Sequence, residues 1–184
     1  ANEPVPNFVE QMNRSKQKPV IGIIKDFFFE HSTPEVAAHT EQVSQELASA
    51  GAEIREITLP DSFRSSHACQ RIVSNVEAAA FHREWYKQRA DEYGPKIRGN
   101  IEMGMLISGI DYLQAQRLRR QFRTDMVHML NGIDALLMPT TPTPAPGDLT
   151  TTGDAVFQAP WTSSGLPTVT IPSGIAANGL PLGT

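Results

Sequence analysis

Pro19-Val-Ile-Gly-Ile-Ile24, then Ser32-Thr-Pro-Glu35, then Gly51-Ala52 running on to Thr58-Leu-Pro60: these three pieces, in this order, decide the fold. The first is a short continuous apolar run with the length and β-branching of a buried strand. The second is a helix start. Ser32 or Thr33 can accept from free backbone N–H groups, Pro34 loses no donor that the first turn needs, and Glu35 favours the positive helix end. Val36, Thr40, Val43 and Leu47 then share one helical face until Gly51, which offers a left-handed stop. Ala52 to Leu59 returns as a strand that Pro60 ends. Strand, helix and strand of these lengths form a βαβ unit, which crosses over right-handed onto a parallel sheet. The expected class is therefore α/β, with a mixed or parallel sheet covered by helices.

Before this unit, residues 1–18 are polar, carry Pro4 and Pro6, and read as a leader or linker. After it, the middle of the chain is helical. Apolar positions Ile72, Val73, Val76, Ala80 and Trp85 hold a helical period from Ser66 to Ala90. Pro95 to Leu106 predicts a shorter helix, weakened by Gly99 and Gly104 at about 1 kcal/mol each relative to Ala. Ser108 to Asn131 is the clearest helix. Ser108 and Asp111 resemble a capping box, and Ile110, Leu113, Leu118, Phe122, Met126, Met129 and Leu130 form its stripe. Ile133 to Met138 reads as a buried strand. Eight of the fourteen prolines lie between Pro139 and Pro181, which predicts ordered but irregular chain. Val156, Phe157, Trp161, Val169 and Ile171 supply apolar anchors there that a disordered tail would lack.

Composition narrows the function. At 184 residues and 40% hydrophobic, the chain can bury a real core as one compact unit or as one piece of a larger one. A net charge of -4 and a pI near 5.7 argue against a nucleic-acid partner, which requires a basic face. The single cysteine, Cys69, excludes an internal disulfide and reads as a small buried residue in a reducing compartment. No run approaches the roughly 18 apolar residues of a membrane span, and Ala1-Asn-Glu-Pro4 does not resemble a secretory signal. The expected location is cytoplasmic. A start without Met predicts a fragment or a processed chain.

Each candidate for chemistry has a structural reading beside it. Ser163-Ser164-Gly165 invites a nucleophile, which needs a nearby base and N–H donors for an oxyanion. No Gly-rich run precedes it, so it reads as a structural turn, and Ser65-Ser66 as a helix start. None of Lys16, Lys18, Lys25, Lys87 and Lys96 has the apolar surroundings that would make a base; Lys25, just after a strand, is best placed for a site. His31, His39, His67, His82 and His128 are scattered. His67-Ala-Cys69 approaches a metal pair, but no second pair completes a ligand set. Arg117, Arg119, Arg120 and Arg123 read as a solvated face. Phe27-Phe28-Phe29 reads as core or loop anchoring, or as contact with a partner. Thr151-Thr-Gly-Asp154, a Gly-flanked acid among hydroxyls, can orient a polar substrate or simply cap its own loop.

The last third carries a further signal. Asp134-Ala-Leu-Leu-Met-Pro-Thr-Thr-Pro-Thr-Pro-Ala-Pro146 runs into Thr152-Gly-Asp154, then Ala159-Pro-Trp-Thr-Ser-Ser-Gly-Leu-Pro167, then Thr170-Ile-Pro-Ser-Gly174. This order, with Lys25-Asp26, Ile97-Arg98, Ile101-Glu-Met-Gly104 and Ser108-Gly-Ile-Asp-Tyr-Leu-Gln-Ala115, resembles the amidase signature family over residues 19–183. The resemblance implies the C-terminal part of an amidase domain spanning 19–184, a partial amidase-signature fold. It implies a parent that cleaves small linear carboxamides to acid and ammonia or amine by acylating a serine, without metal or organic cofactor. Thr152, Gly153, Asp154 and Trp161 become the implied substrate-binding residues. The family's Ser-cis-Ser-Lys triad lies upstream of every matching block and nothing in residues 1–18 resembles it, so the chain alone is expected to be silent. Implied partners are a small amide, the rest of the domain, or a second copy, with no membrane and no nucleic acid. Two alternatives remain at this point: the amidase subunit of a tRNA-dependent amidotransferase, and a non-catalytic α/β binding module.

Overall fold

In the computed structural model, residues 4–14 and 18–184 are described. The opening βαβ unit is present. Strand β1 (Val20–Ile24) leads to helix α2 (Pro34–Ser49) and strand β2 (Glu53–Ile57). Thr33 caps α2, its side chain accepting from Val36 N, and Gly51 takes a positive φ of 105° just past the helix end. The deepest positions of α2 are Val36, Thr40 and Ser44; Val43 and Leu47 are less deeply placed. β1 pairs in parallel with β2 on one side and with β3 (Ala135–Leu137) on the other, giving the order β2-β1-β3. The crossover to β3 consists of α3 (Ser66–Arg89), α4 (Pro95–Leu106) and α5 (Gly109–Met129). Ser108 caps α5, accepting from Asp111 N at 3.1 Å.

Two expectations need correction, and a third gains an element. The expected leader contains α1 (Phe8–Arg14), whose start is marked by Asn7 Oδ1 accepting from Glu10 N at 3.2 Å. An Asn-x-x-Glu spacing is the local signal for such a start. The Pro-rich tail is more regular than its composition suggests: α6 (Ala159–Ser164) and an antiparallel hairpin, β4 (Pro172–Ile175) with β5 (Pro181–Gly183), are built into it. Here Pro sits at the helix start and at strand ends, where its missing donor costs least. Finally, the α5 stripe does not bury evenly: Phe122 and Met126 are sealed, whereas Ile110 and Leu113 are 81% and 58% exposed.

The main core lies between β1, α5 and α6. Ile24, Phe28, Phe63, Phe122, Met126, Phe157 and Trp161 form one cluster. Phe28 stacks on Trp161 with centroids 6.0 Å apart and meets Phe157 edge-on at 5.0 Å. Burying each such ring contributes about 1.5–3 kcal/mol. Thus Phe28 anchors the turn after β1, as expected of the Phe27-Phe28-Phe29 run, and Trp161 and Phe157 pin the tail beside it. Cys69, Val73 and Ala115 form a smaller cluster between α3 and α5. Burial pushes the Cys69 thiol pKa up, which keeps it an inert packing group.

Candidate functional site

The parallel strands β1 and β3 end on the same side of the sheet, at Ile24 and Leu137. In open α/β sheets ligands bind beyond such carboxyl ends, because the strand-to-helix loops gather there. Here the loops are Lys25–Thr33 and the long segment 138–158. They are tied to one another: Thr33 N donates to the Pro142 carbonyl at 2.8 Å, and the Gln158 amide donates to the Thr140 carbonyl.

Between the loop 140–146, the loop 152–154 and the hairpin lies a groove with about 310 Å³ of free volume. Thr152, Gly153 and Asp154 line it, together with Thr140, Thr141 and Pro144 of the first loop, and Pro172, Leu182 and Gly183 make the hairpin one of its walls. Gly153 has φ 83°, a turn that favours glycine. Its N–H donates to Thr151 Oγ1 at 3.1 Å. Asp154 is exposed, and its Oδ1 accepts from Val156 N at 2.9 Å, while Oδ2 has no hydrogen-bond partner among the described residues. Three of the four expected substrate-binding residues are therefore brought together. Trp161 is not among the groove-lining residues; it is 5% exposed, in the core against Phe28.

The turn Asp26–His31 adjoins this loop system. Phe27 takes a φ of 60°, a conformation that a bulky side chain adopts only under constraint. The constraint is visible. His31 Nδ1–H donates to the Phe27 carbonyl at 2.8 Å, and the Phe27 ring lies 4.3 Å from the His31 ring and 5.1 Å from that of His67. His67 Nε2–H in turn donates to the Val156 carbonyl at 2.8 Å, two residues beyond Asp154. His67 and Cys69 thus diverge, one to the loop and the other into a core cluster.

The remaining candidates take structural places. Ser163 and Ser164 are buried at the end of α6, where Gly165 closes the helix at φ 67°. Ser164 Oγ donates to the Trp161 carbonyl at 3.0 Å, while Ser163 Oγ has no hydrogen-bond partner among the described residues. Ser65 ends a 3₁₀ turn and donates to the Ser62 carbonyl instead of capping α3 through its side chain. The basic cluster on α5 is only partly a solvated face. Arg119 Nε donates to the Ser163 carbonyl and Arg123 Nη1 to the Ser164 carbonyl, each at 2.6 Å. Two guanidinium groups therefore satisfy the carbonyl end of α6, where the helix dipole favours positive charge. Arg117 and Arg120 are exposed. Lys25 bridges Glu41 at 3.2 Å and Glu56 at 3.6 Å, and its hydrogen bond to Glu41 raises its pKa. Lys18 and Lys96 are exposed, Lys87 pairs with Glu84 at 2.9 Å, and Lys16 lies outside the described residues. The sequence did not single out the hairpin wall of the groove. Its signal was the pair of short apolar stretches flanking Ala177-Asn-Gly179, a hairpin turn hidden among prolines.

Comparison with known proteins agrees with this architecture. A family model described as Amidase matches residues 1–184. An amidase of Pseudomonas putida is 31% identical over 97% of this chain and 41% of its own length. The A subunit of the glutamyl-tRNA(Gln) amidotransferase of Bartonella henselae is 32% identical over 99% of this chain and 43% of its own. Among solved structures, a crystal structure of an amidase superposes with a TM-score of 0.82 at 28% identity, over 91% of this chain and 41% of that one. A 6-aminohexanoate cyclic dimer hydrolase shares the fold at a TM-score of 0.76 and 16% identity, over 98% of this chain and 44% of that one. The chain spans rather under half the length of the relatives it matches. With its βαβ opening, three-helix crossover and Pro-rich groove loops in the family's order, the chain belongs to the amidase signature family.

Proposed function

We propose that the protein carrying this chain hydrolyses small linear carboxamides to the acid and ammonia or amine, and that residues 19–184 are the C-terminal part of its amidase domain, with 1–18 leading into it. The observation that carries this reading is the groove at the carboxyl ends of β1 and β3, walled by Thr152, Gly153 and Asp154. A serine supplied outside residues 1–184 attacks the carboxamide carbon, the amine leaves with a proton, and water then frees the acid. Backbone N–H groups stabilise each tetrahedral state, and no metal or organic cofactor enters the scheme. Asp154 holds a donor group of the substrate through Oδ2, while Trp161 acts from behind by fixing the turn that carries Phe28. On this reading the chain alone releases no ammonia from amides, and the protein works in the cytoplasm, in association with the rest of its domain or a second copy.

The test is Asp154→Ala in the full-length protein, assayed by ammonia release from a panel of small amides. KM is expected to rise, or kcat to fall, by about tenfold, the scale of one charge-assisted hydrogen bond. Unchanged constants would remove Asp154 from the site. A second reading has its own support, since the A subunit of the amidotransferase is as similar to this chain as the amidase. Ammonia transfer to a misacylated tRNA, seen only with partner subunits present, would put that reading first.

A further inference from the structure

One wall of the groove is a two-stranded hairpin that does not pair with the parallel sheet among the described residues. A lone hairpin is marginal in water, so something else must hold it. Part of the answer is Thr140 N, which donates to the Gly183 carbonyl at 3.1 Å. Asn178 Nδ2 adds a long hydrogen bond to the Ala145 carbonyl at 3.5 Å, and a larger seat is one face of α2. Glu35 Oε1 accepts from Ala177 N at 2.6 Å, and Val36 is buried with Ala176 and Leu182. One turn on, His39 Nε2 and Ser173 Oγ share a hydrogen bond of 2.8 Å.

The register explains how Ser173 reaches α2. Pro172 pairs with Gly183 and Gly174 with Leu182, so Ser173 is the additional residue of a bulge, a device that re-aims a side chain. Next to it, a Cβ on Gly174 would lie 2.5 Å from His39 Cε1 and 3.1 Å from both ring nitrogens. The imidazole therefore occupies the space that a side chain at 174 would need, and it seats the bulge from both residues.

We propose that His39 is a positioning residue for the groove: by seating the bulge at Ser173-Gly174, it sets how far the hairpin wall stands from Thr152–Asp154 and so which amides fill the groove well. This rests on the groove being the substrate site. A bulkier amide, which fills more of the groove, is expected to feel His39 more than a short one.

The experiment uses the full-length protein with His39→Ala, His39→Gln and Asp154→Asn, and propionamide and benzamide as substrates. Hydrogen exchange is followed across 172–183. His39→Ala is expected to speed exchange in the hairpin and to raise KM for benzamide about fivefold, the scale of one net hydrogen bond. Both kcat values and the KM for propionamide stay within about twofold. His39→Gln, which keeps a donor for Ser173 Oγ, restores part of the benzamide KM. General loss of folded enzyme would lower kcat for both amides and leave KM alone, so the split separates positioning from unfolding. Unchanged exchange overturns the seating role. Faster exchange with both KM values unmoved, while Asp154→Asn still shifts KM or kcat, overturns the wall-setting role and leaves the groove reading standing. If His39→Ala leaves KM unmoved and Asp154→Asn moves neither KM nor kcat, the groove reading fails and the proposal falls with it.

Discussion

The two halves of α5 carry the same helical periodicity and meet opposite fates. In the C-terminal half, Phe122 and Met126 are 1% and 0% exposed, packed beneath the turn after β1. In the N-terminal half, Ile110 and Leu113 stand largely in solvent, and only Ala115 is sealed against α3. Between the halves, Arg119 is half-buried and ties the helix to α6. A stripe thus assigns a helix and a direction, whereas depth of burial is decided by what another part of the chain brings opposite it. For Phe122 that is Phe63, edge-on at 6.1 Å; Ile110 belongs to no core cluster among the described residues.

Three substitutions in the full-length protein put this contrast at risk. Phe122→Ala should cost about 3–5 kcal/mol, because the cavity left among the aromatic rings closes only in part. A thermal melt showing a loss below about 1 kcal/mol would mean that this half is not the core. Arg119→Ala should cost about 1.5–3 kcal/mol, since the carbonyls of Thr162 and Ser163 at the end of α6 lose a charged donor. The check is hydrogen exchange at 159–165 beside the melt, and unchanged protection there would deny the cap. Ile110→Ser should change stability by no more than about 0.5 kcal/mol. A larger loss in the melt would show that the exposed half is covered in the full-length protein.

Legibility in the sequence follows the same division. β1, α2, β2, α3, α4 and α5 are readable because each is announced locally, by a strand-length apolar run, a cap such as Thr33 or Ser108, or a closing glycine such as Gly51. α1 has its own signal in Asn7 and Glu10, but the flanking prolines argue for a linker. The groove is half-legible. Thr152, Gly153 and Asp154 stand out as a turn with an acid, and they do line it. Trp161 stands out as an aromatic in a polar stretch, which marks burial as readily as binding. The hairpin wall and its seat on His39 are not readable. They depend on a contact 134 residues apart in sequence, and neither a lone histidine nor a serine after proline signals the other. Arg119 and Arg123 pass for a solvated face for the same reason, as their carbonyl partners lie more than 40 residues away.

The order of the sheet has a consequence for how the chain is made. β1 is the central strand, and its partner β2 follows within a few dozen residues, so the βαβ unit can close early. Its other edge waits for β3, whose first link, Val20 N to the Asp134 carboxylate, spans 114 residues. At a synthesis rate of about 5–20 residues per second, that is a delay of roughly 6–23 s in which an apolar strand edge has no partner. During that interval Val20–Ile24 is an open template for any passing strand. Within residues 18–184, this edge of β1 thus stays open until residue 135 emerges, and a chaperone shielding it would act in that interval.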